Sequence, residues 1–91
     1  MATSGESRDM HAITLYAKAG CHLCDEAREY LEELVARYPG QRVERAEVDI
    51  RRDEALFERY RFRIPVIVVN GVERLEGRIQ PEDVARLLDQ P

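Results

Sequence analysis

The sequence predicts an α/β fold, with a four-stranded mixed sheet and three helices in the order β-α-β-α-β-β-α. Two observations predict this class. A strand, a long amphipathic helix and a second strand follow one another between residues 13 and 50, and such a unit makes its two strands parallel. A continuous β-branched run then leads into Asn70-Gly71, a strong signal for a two-residue hairpin. Because the hairpin adds an antiparallel pair, the sheet is expected to be mixed, with helices on both faces.

The first half of the chain contains a strand, a helix and a second strand. Residues 13–17 are β-rich and alternate, which is typical of a strand. From Leu23 onward, apolar residues recur at helical spacing and charged residues fill the other face, which predicts an amphipathic helix of about four turns. Pro39-Gly40 ends this helix. Residues 42–50 alternate imperfectly and predict the second strand.

The second half predicts a short helix followed by the hairpin. Asp53 can accept hydrogen bonds at the start of a helix that runs to Tyr60. The β-branched run after Pro65 is typical of a strand that is buried on both faces. Residues 72–75 form the returning strand, and Gly77 ends it.

A third helix completes a single predicted domain. Pro81 suits the first turn of this helix. Three of its apolar residues are expected to face inward: Val84, Leu87 and Leu88. No linker or repeat divides the 91 residues, so residues 11–91 are predicted to form one domain. Residues 1–10 are polar and are predicted to be a disordered tail.

Composition and charge argue against several classes of protein. The hydrophobic content of 44% and the charged content of 35% are ordinary for a globular protein. The net charge is −4, and arginines alternate with glutamates, so no nucleic-acid partner is expected. No apolar run approaches the length of about 20 residues that a membrane-spanning helix needs. Residues 1–10 lack the apolar segment of a secretory signal. We therefore expect a cytoplasmic monomer with no membrane partner.

The two cysteines, Cys21 and Cys24, lie at the junction between the first strand and the first helix. Backbone N–H groups at a helix start lack partners, and the helix dipole favours negative charge there. A thiolate on Cys21 is therefore expected to be stabilised, with a pKa below the free thiol value of about 8.5. The thiolate is the nucleophile in disulfide exchange. Cys24, one turn further on, is placed to resolve a mixed disulfide, so the pair is predicted to be a redox-active disulfide.

The residues also leave other interpretations of the cysteine pair open. The pair could be structural thiols, or it could bind zinc together with His11 or His22. It could also hold an iron–sulfur cluster, with a dimer sharing one cluster. A non-catalytic binding module is a further alternative. In a reducing compartment, however, a cysteine pair is more often catalytic than structural.

Several motifs together resemble the glutaredoxin and thioredoxin superfamily. These are the C-x-x-C after the first strand, Ile64-Pro65-Val66 at the start of the third strand, and a glycine after the fourth. More narrowly, residues 15–27, 48–50 and 63–66 resemble the small bacterial glutaredoxin-like family, over roughly residues 12 to 89. The resemblance implies a thioredoxin-like fold and a thiol–disulfide oxidoreductase in which Cys21 attacks.

The resemblance also implies roles for residues around the dithiol. Pro65 would be cis and face the cysteines, leaving the backbone N–H and C=O of Ile64 free to pair with an extended substrate. Lys18 would meet a glutathione carboxylate and help to hold the thiolate, unless it is only a solvated loop residue. His22 would add positive charge near Cys21 when protonated, or would simply face solvent. The substrate-binding set is therefore predicted to be Lys18, His22, Ile64, Pro65 and Gly77.

The turn around Gly77 departs from the pattern of glutaredoxins that bind glutathione well. Those proteins carry a paired glycine followed by a polar or acidic cluster, whereas here one glycine is followed by Arg78. The chain has no tryptophan, and residues 13–17 contain no acidic residue. In both respects it differs from thioredoxin itself. The expected partners are a disulfide-containing protein or a glutathione mixed disulfide, together with a thiol reductant. We expect that no metal or organic cofactor is required. Glutathione is a candidate co-substrate.

Overall fold

A computed structural model describes residues 10–39 and 42–89 of the chain. The first half contains strand β1 (Met10–Ala17), helix α1 (His22–Ala36) and strand β2 (Arg42–Asp49). All three elements were expected, and α1 has the 15 residues of a four-turn amphipathic helix.

The second half follows the predicted order with one addition. A single turn of 3₁₀-helix connects β2 to the second helix. The elements are the 3₁₀ turn (Ile50–Arg52), α2 (Glu54–Tyr60), β3 (Val66–Val69), β4 (Val72–Glu76) and α3 (Pro81–Ala85). Asp53 caps α2 as expected, because its carboxylate accepts the backbone N–H groups of Ala55 at 2.9 Å and Leu56 at 3.1 Å.

The four strands form one mixed sheet in the order β2-β1-β3-β4. Strand β1 runs parallel to β2, with a register that begins at Met10 opposite Arg42 and ends at Ala17 opposite Asp49. Strand β3 is antiparallel to both β1 and β4. The architecture confirms the predicted α/β class, with the strand–helix–strand unit parallel and the hairpin antiparallel.

The hairpin between β3 and β4 turns at Asn70-Gly71. Asn70 has a φ of 51° and Gly71 a φ of 84°, so both central residues adopt the left-handed conformation that a type I′ turn requires. Asn70 also joins the turn to β1. Its backbone N–H donates to the Ala12 carbonyl at 2.8 Å, and its side-chain Oδ1 accepts the Ala12 N–H at 2.9 Å.

Alternation along the central strands divides the apolar residues between two faces of the sheet. On one face, α1 and α3 pack over a larger core. Its buried members are Ile13, Leu15, Ala17, Cys24, Ala27, Leu31, Leu34, Ile67, Val69, Ile79, Val84, Leu87 and Leu88. The dithiol helix is therefore held by this core.

The opposite face carries a smaller core beneath α2. Its buried residues are Ile50, Tyr60 and Val66. The ring of Tyr60 stacks on that of Tyr16, with 4.7 Å between centroids. Helices thus cover both faces of the sheet, and Tyr16 acts in packing, as its place in the alternating first strand favours.

The ends of β2 and α3 differ from the sequence predictions. Ile50 belongs to the 3₁₀ turn rather than to β2, and α3 ends at Ala85. Leu87 and Leu88 lie beyond this end, in turns, yet both are buried as expected.

The predicted tail at residues 1–10 is too long by one residue, because Met10 pairs with Arg42. The remainder of that prediction, residues 1–9, lies outside the described residues. Among the helices of residues 10–39 and 42–89, none is long and apolar enough to cross a membrane.

Candidate functional site

Cys21 is the N-cap residue of α1, which places its sulfur at the start of the helix. Its Sγ accepts a hydrogen bond from the backbone N–H of Cys24 at 3.2 Å. Gly20 precedes it with a φ of 79°, a left-handed conformation that a glycine adopts without steric cost. The turn from β1 into α1 therefore presents the Cys21 sulfur to the unpaired N–H groups of the first helical turn, as the sequence predicts.

Cys21 and Cys24 are joined in a disulfide, and their Cα atoms are 5.1 Å apart. The two residues differ in exposure. Cys24 is completely buried in the core beneath α1, whereas Cys21 is only half-buried at the edge of that core. An incoming molecule can therefore reach the first sulfur and not the second.

An ion-pair network lies one turn beyond the dithiol. The Arg28 guanidinium contacts Asp25 at 2.7 Å and forms two hydrogen bonds with the Glu47 carboxylate, at 2.8 and 2.6 Å. These bonds lower the pKa of Glu47 and raise that of Arg28. Because Asp25 would oppose a thiolate at the helix start, its pairing with Arg28 is favourable for that thiolate.

The sequence reasoning missed Arg28. The helical pattern places Arg28 on the polar face of α1. No neighbouring residue in the sequence indicates that its partner, Glu47, lies on β2.

His22 is exposed, and its ring faces along the helix. Its Nε2 lies 3.1 Å from a carboxylate oxygen of Glu26, four residues later. A protonated His22 is therefore paired with Glu26, and its positive charge is partly neutralised rather than directed at Cys21 alone.

The Ile64–Pro65 peptide bond is cis, and Pro65 is fully buried. Ile64 is half-buried and packs against the same core as Cys21. Its backbone N–H donates to the Tyr60 carbonyl at 3.1 Å. The expectation that both backbone groups of Ile64 are free is therefore wrong for the N–H, because the turn that follows α2 uses it. Within the described residues, the Ile64 carbonyl has no hydrogen-bond donor.

Gly77 lies directly against Pro65. Its backbone N–H donates to the Pro65 carbonyl at 2.8 Å and to the Arg63 carbonyl at 3.1 Å, and its φ is 74°. Gly77, the residue after β4, thus stabilises the turn at Pro65 through these hydrogen bonds. This N–H is already used within the protein, which leaves it unavailable to a bound peptide.

Side chains also fasten this turn to β4. The Arg63 guanidinium binds Glu76 at 2.7 Å and also contacts Glu73, which in turn accepts a hydrogen bond from the Tyr60 hydroxyl at 2.9 Å. The Arg63 guanidinium is the main cause of the lowered pKa of Glu73. The segment between α2 and Pro65 is therefore held at both ends.

Lys18 is half-exposed in the loop that leads to Cys21. No hydrogen bond or ion pair within residues 10–39 and 42–89 joins it to the other predicted site residues. The zinc alternative also finds no support there, since no group of three or more His, Cys, Asp and Glu residues in this part of the chain could hold a metal ion.

Comparison with protein families gives a match over most of the chain. The model described as "Glutaredoxin-like domain (DUF836)" matches residues 12–89. The chain belongs to this glutaredoxin-like family. The match confirms the family resemblance that the motifs around Cys21 and Pro65 predict, over the span they predict.

Solved structures with the same fold include relatives at two levels of identity. The X-ray structure of the structural genomics target protein XcR50 from X. campestris is 33% identical, with a TM-score of 0.69, and the match covers 85% of this chain and 95% of that one. Chloroplastic thioredoxin z is 19% identical, with a TM-score of 0.66, and the match covers 97% of this chain and 83% of that one.

A third structure is the oxidized form of mitochondrial thioredoxin 3 from Saccharomyces cerevisiae. It is 15% identical, with a TM-score of 0.63, and the match covers 87% of this chain and 76% of that one. At such identities the two thioredoxins establish the fold alone. The thioredoxin-like fold predicted for this glutaredoxin-like protein is thereby confirmed, and its disulfide-bonded C-x-x-C pair supports a redox role.

Phe62 is the second residue of this glutaredoxin-like domain that the sequence reasoning missed. Its side chain is 87% exposed, although it lies only two residues before Ile64. Its exposure could not be read from the neighbouring residues, because it depends on how the chain turns after α2.

Proposed function

We propose that the protein is a dithiol–disulfide oxidoreductase that reduces disulfides in its substrates. The observation that carries this proposal is the asymmetry of the cysteine pair. Cys21 is accessible at the helix start, while Cys24 is buried behind it and within bonding distance. An accessible thiol that can attack and a sheltered thiol that can resolve are the two parts that such exchange requires.

The proposed reaction proceeds in two steps. The Cys21 thiolate attacks one sulfur of the substrate disulfide, forming a mixed disulfide and releasing the first substrate thiolate. The Cys24 thiolate then attacks the Cys21 sulfur, which forms the Cys21–Cys24 disulfide and releases the second substrate thiolate. Two electrons pass from the protein dithiol to the substrate, and the two protons of the dithiol end on the substrate thiols.

A thiol reductant must return the protein to its dithiol form. We propose that an external thiol, for which glutathione is one candidate, exchanges with the Cys21–Cys24 disulfide and leaves as its own disulfide. No metal or organic cofactor enters this cycle. Lys18 at the loop edge, together with the Ile64 carbonyl and Pro65, is proposed to border the substrate groove.

Single-cysteine variants test the assignment. Cys21→Ser should reduce turnover of a disulfide substrate to the uncatalysed background, because no accessible thiol remains. Cys24→Ser should retain the first step and accumulate a mixed disulfide, visible by mass spectrometry as one substrate thiol attached to the protein. The chain has two cysteines, so each variant retains one thiol and its labelling is unambiguous.

Ala19→Ser provides the matched control, since it adds a hydroxyl at an exposed position in the same loop. It should keep the wild-type rate. Turnover by Cys21→Ser at the wild-type rate would show that Cys21 is not the nucleophile. A mixed disulfide formed equally well by either single variant would contradict the division of roles.

A further inference from the structure

We propose that Phe57, Arg61 and Phe62 form a docking surface for polypeptide substrates whose disulfide is flanked by apolar and acidic side chains. This inference rests on the proposed function and names its substrate class. The three side chains are called the aromatic patch below. They lie at the end of α2 and in the turn that leads to Ile64 and Pro65, so the patch adjoins the proposed substrate groove.

The turn holds Phe62 outward. The backbone N–H of Arg63 donates to the Tyr60 carbonyl at 2.8 Å, and the N–H of Arg61 donates to the Phe57 carbonyl at 2.9 Å. On either side, Tyr60 is buried in the smaller core and the Arg63 side chain is bound to Glu76. Both flanks of Phe62 are therefore anchored, and the backbone that carries its exposed ring is held in place.

Arg61 makes the patch continuous. Its guanidinium carbon lies 4.6 Å from the centroid of the Phe62 ring and 5.0 Å from that of Phe57, within the range of cation–π attraction. Phe57 in turn packs against the smaller core. The exposed ring is thus connected to the folded body through a stacked cation rather than standing alone on the surface.

The charge of the patch favours an acidic partner. The carboxylate paired with Arg61 belongs to Glu58, at 3.9 Å, which is beyond hydrogen-bond distance. Arg59 and Arg63, by contrast, are committed to Glu73. Arg61 is therefore the guanidinium at this surface with the weakest internal pairing, and it can bind a carboxylate without losing a strong contact.

The position of the patch selects for size. One residue, Arg63, separates Phe62 from Ile64, so their Cα atoms lie within about 7 Å of each other. The Phe62 ring is exposed and precedes Ile64, whose carbonyl is proposed to border the groove. A substrate must therefore extend beyond its disulfide to reach the ring, which polypeptides do.

The experiment compares three disulfides as substrates of the reduced protein. Two are peptides of equal length with one internal disulfide, flanked either by leucine and glutamate or by glycine and serine. The third is hydroxyethyl disulfide, which is too small to reach the patch. We expect wild type to favour the leucine–glutamate peptide over the glycine–serine peptide about tenfold in kcat/KM, as a central aromatic contact typically provides.

Phe62→Ser should remove most of this preference and leave the turnover of hydroxyethyl disulfide unchanged. Arg61→Gln should lower the preference for the leucine–glutamate peptide by about threefold. It should also abolish the dependence of that preference on salt concentration. Val72→Ser is the matched control. Val72 is the other large hydrophobic residue found exposed in the described part of the chain, and it lies at the far hairpin. This variant should behave as wild type with all three substrates.

The outcomes separate the docking inference from the proposed function. If wild type reduces hydroxyethyl disulfide without discriminating between the peptides, the docking surface is wrong and the oxidoreductase proposal stands. Retention of the preference by Phe62→Ser would lead to the same conclusion. If wild type reduces none of the three disulfides, both proposals are wrong.

Discussion

At the scale of single residues, burial separates two cysteines that are three positions apart in the chain. Cys21 ends a loop and lies half-exposed at the helix start, whereas Cys24 is on the inner face of α1 and is covered by the core. Reaction with a dissolved electrophile requires both a thiolate and access to it. The difference in burial therefore predicts that the two thiols differ in reactivity, which can be measured without any substrate.

We predict that limiting iodoacetamide alkylates Cys21 in the reduced protein and leaves Cys24 unmodified. Peptide mapping after denaturation and labelling with a second reagent measures the modification at each site. In denaturant, where both thiols are exposed, the two sites should react at similar rates, which provides the control. Equal labelling under native conditions would contradict the burial argument.

Some properties of single residues could be predicted from the sequence, and others could not. The spacing of Cys21 and Cys24 was enough to place a dithiol at a helix start, because a strand–helix junction follows from local patterns. The hydrogen bond from the Ile64 N–H to Tyr60 was not foreseeable, because it depends on how the chain turns after α2. The exposure of Phe62 depends on the same turn.

At the scale of elements, Arg28 connects the dithiol helix to the edge of the sheet. Its two hydrogen bonds to Glu47 join α1 to β2, and its contact with Asp25 stays within the helix. Both side chains of the α1–β2 pair are about one-third exposed, so water screens the pair. The contribution of the Arg28–Glu47 pair to the free energy of unfolding is expected at the upper end of the range for surface ion pairs, because its geometry is bidentate.

We predict that Arg28→Gln lowers the free energy of unfolding by about 1 kcal/mol, measured by urea denaturation of the oxidised protein. Glu47→Gln should lower it by less, because Arg28 then keeps its contact with Asp25. The double variant should lose little more than Arg28→Gln alone, because both changes remove the Arg28–Glu47 interaction. Glu44→Gln is the matched control, since Glu44 is also an exposed glutamate on β2. Full additivity of the two losses would show that the pair does not couple the elements.

Most elements could be predicted because their signals are local. The apolar period of α1, the cap at Asp53 and the Asn70-Gly71 turn each act over a few neighbouring residues. The 3₁₀ turn at Ile50–Arg52 was missed because three residues are too few to show a period. The early end of α3 was missed because Leu87 and Leu88 are buried whether or not the backbone is helical.

At the scale of the whole molecule, one sheet separates two cores, and ion pairs join the elements around it. Arg28 with Glu47 joins α1 to β2, and Arg63 with Glu73 joins the turn after α2 to β4. Each pair holds together two different elements of the fold. Protonating the carboxylates should therefore loosen the molecule at both sides of the sheet.

Among residues 10–39 and 42–89, three carboxyl groups have a lowered pKa, each caused chiefly by an arginine. They are Glu47, Asp49 and Glu73, and the pKa of Asp49 falls to about 2. For an acid whose folded pKa is below its unfolded value, the stabilisation is complete above the unfolded value. It is lost as the pH falls through the folded value.

We predict that the urea midpoint of the oxidised protein is level above about pH 5 and declines from about pH 4 toward pH 2. Arg51→Gln removes the main cause of the lowered pKa of Asp49, so this variant should show a shallower decline in the lower part of that window. Arg63→Gln should flatten the upper part, because the pKa of Glu73 then returns toward its ordinary value. A decline of the same steepness in wild type and both variants would show that these pairs do not link the stability of the fold to pH.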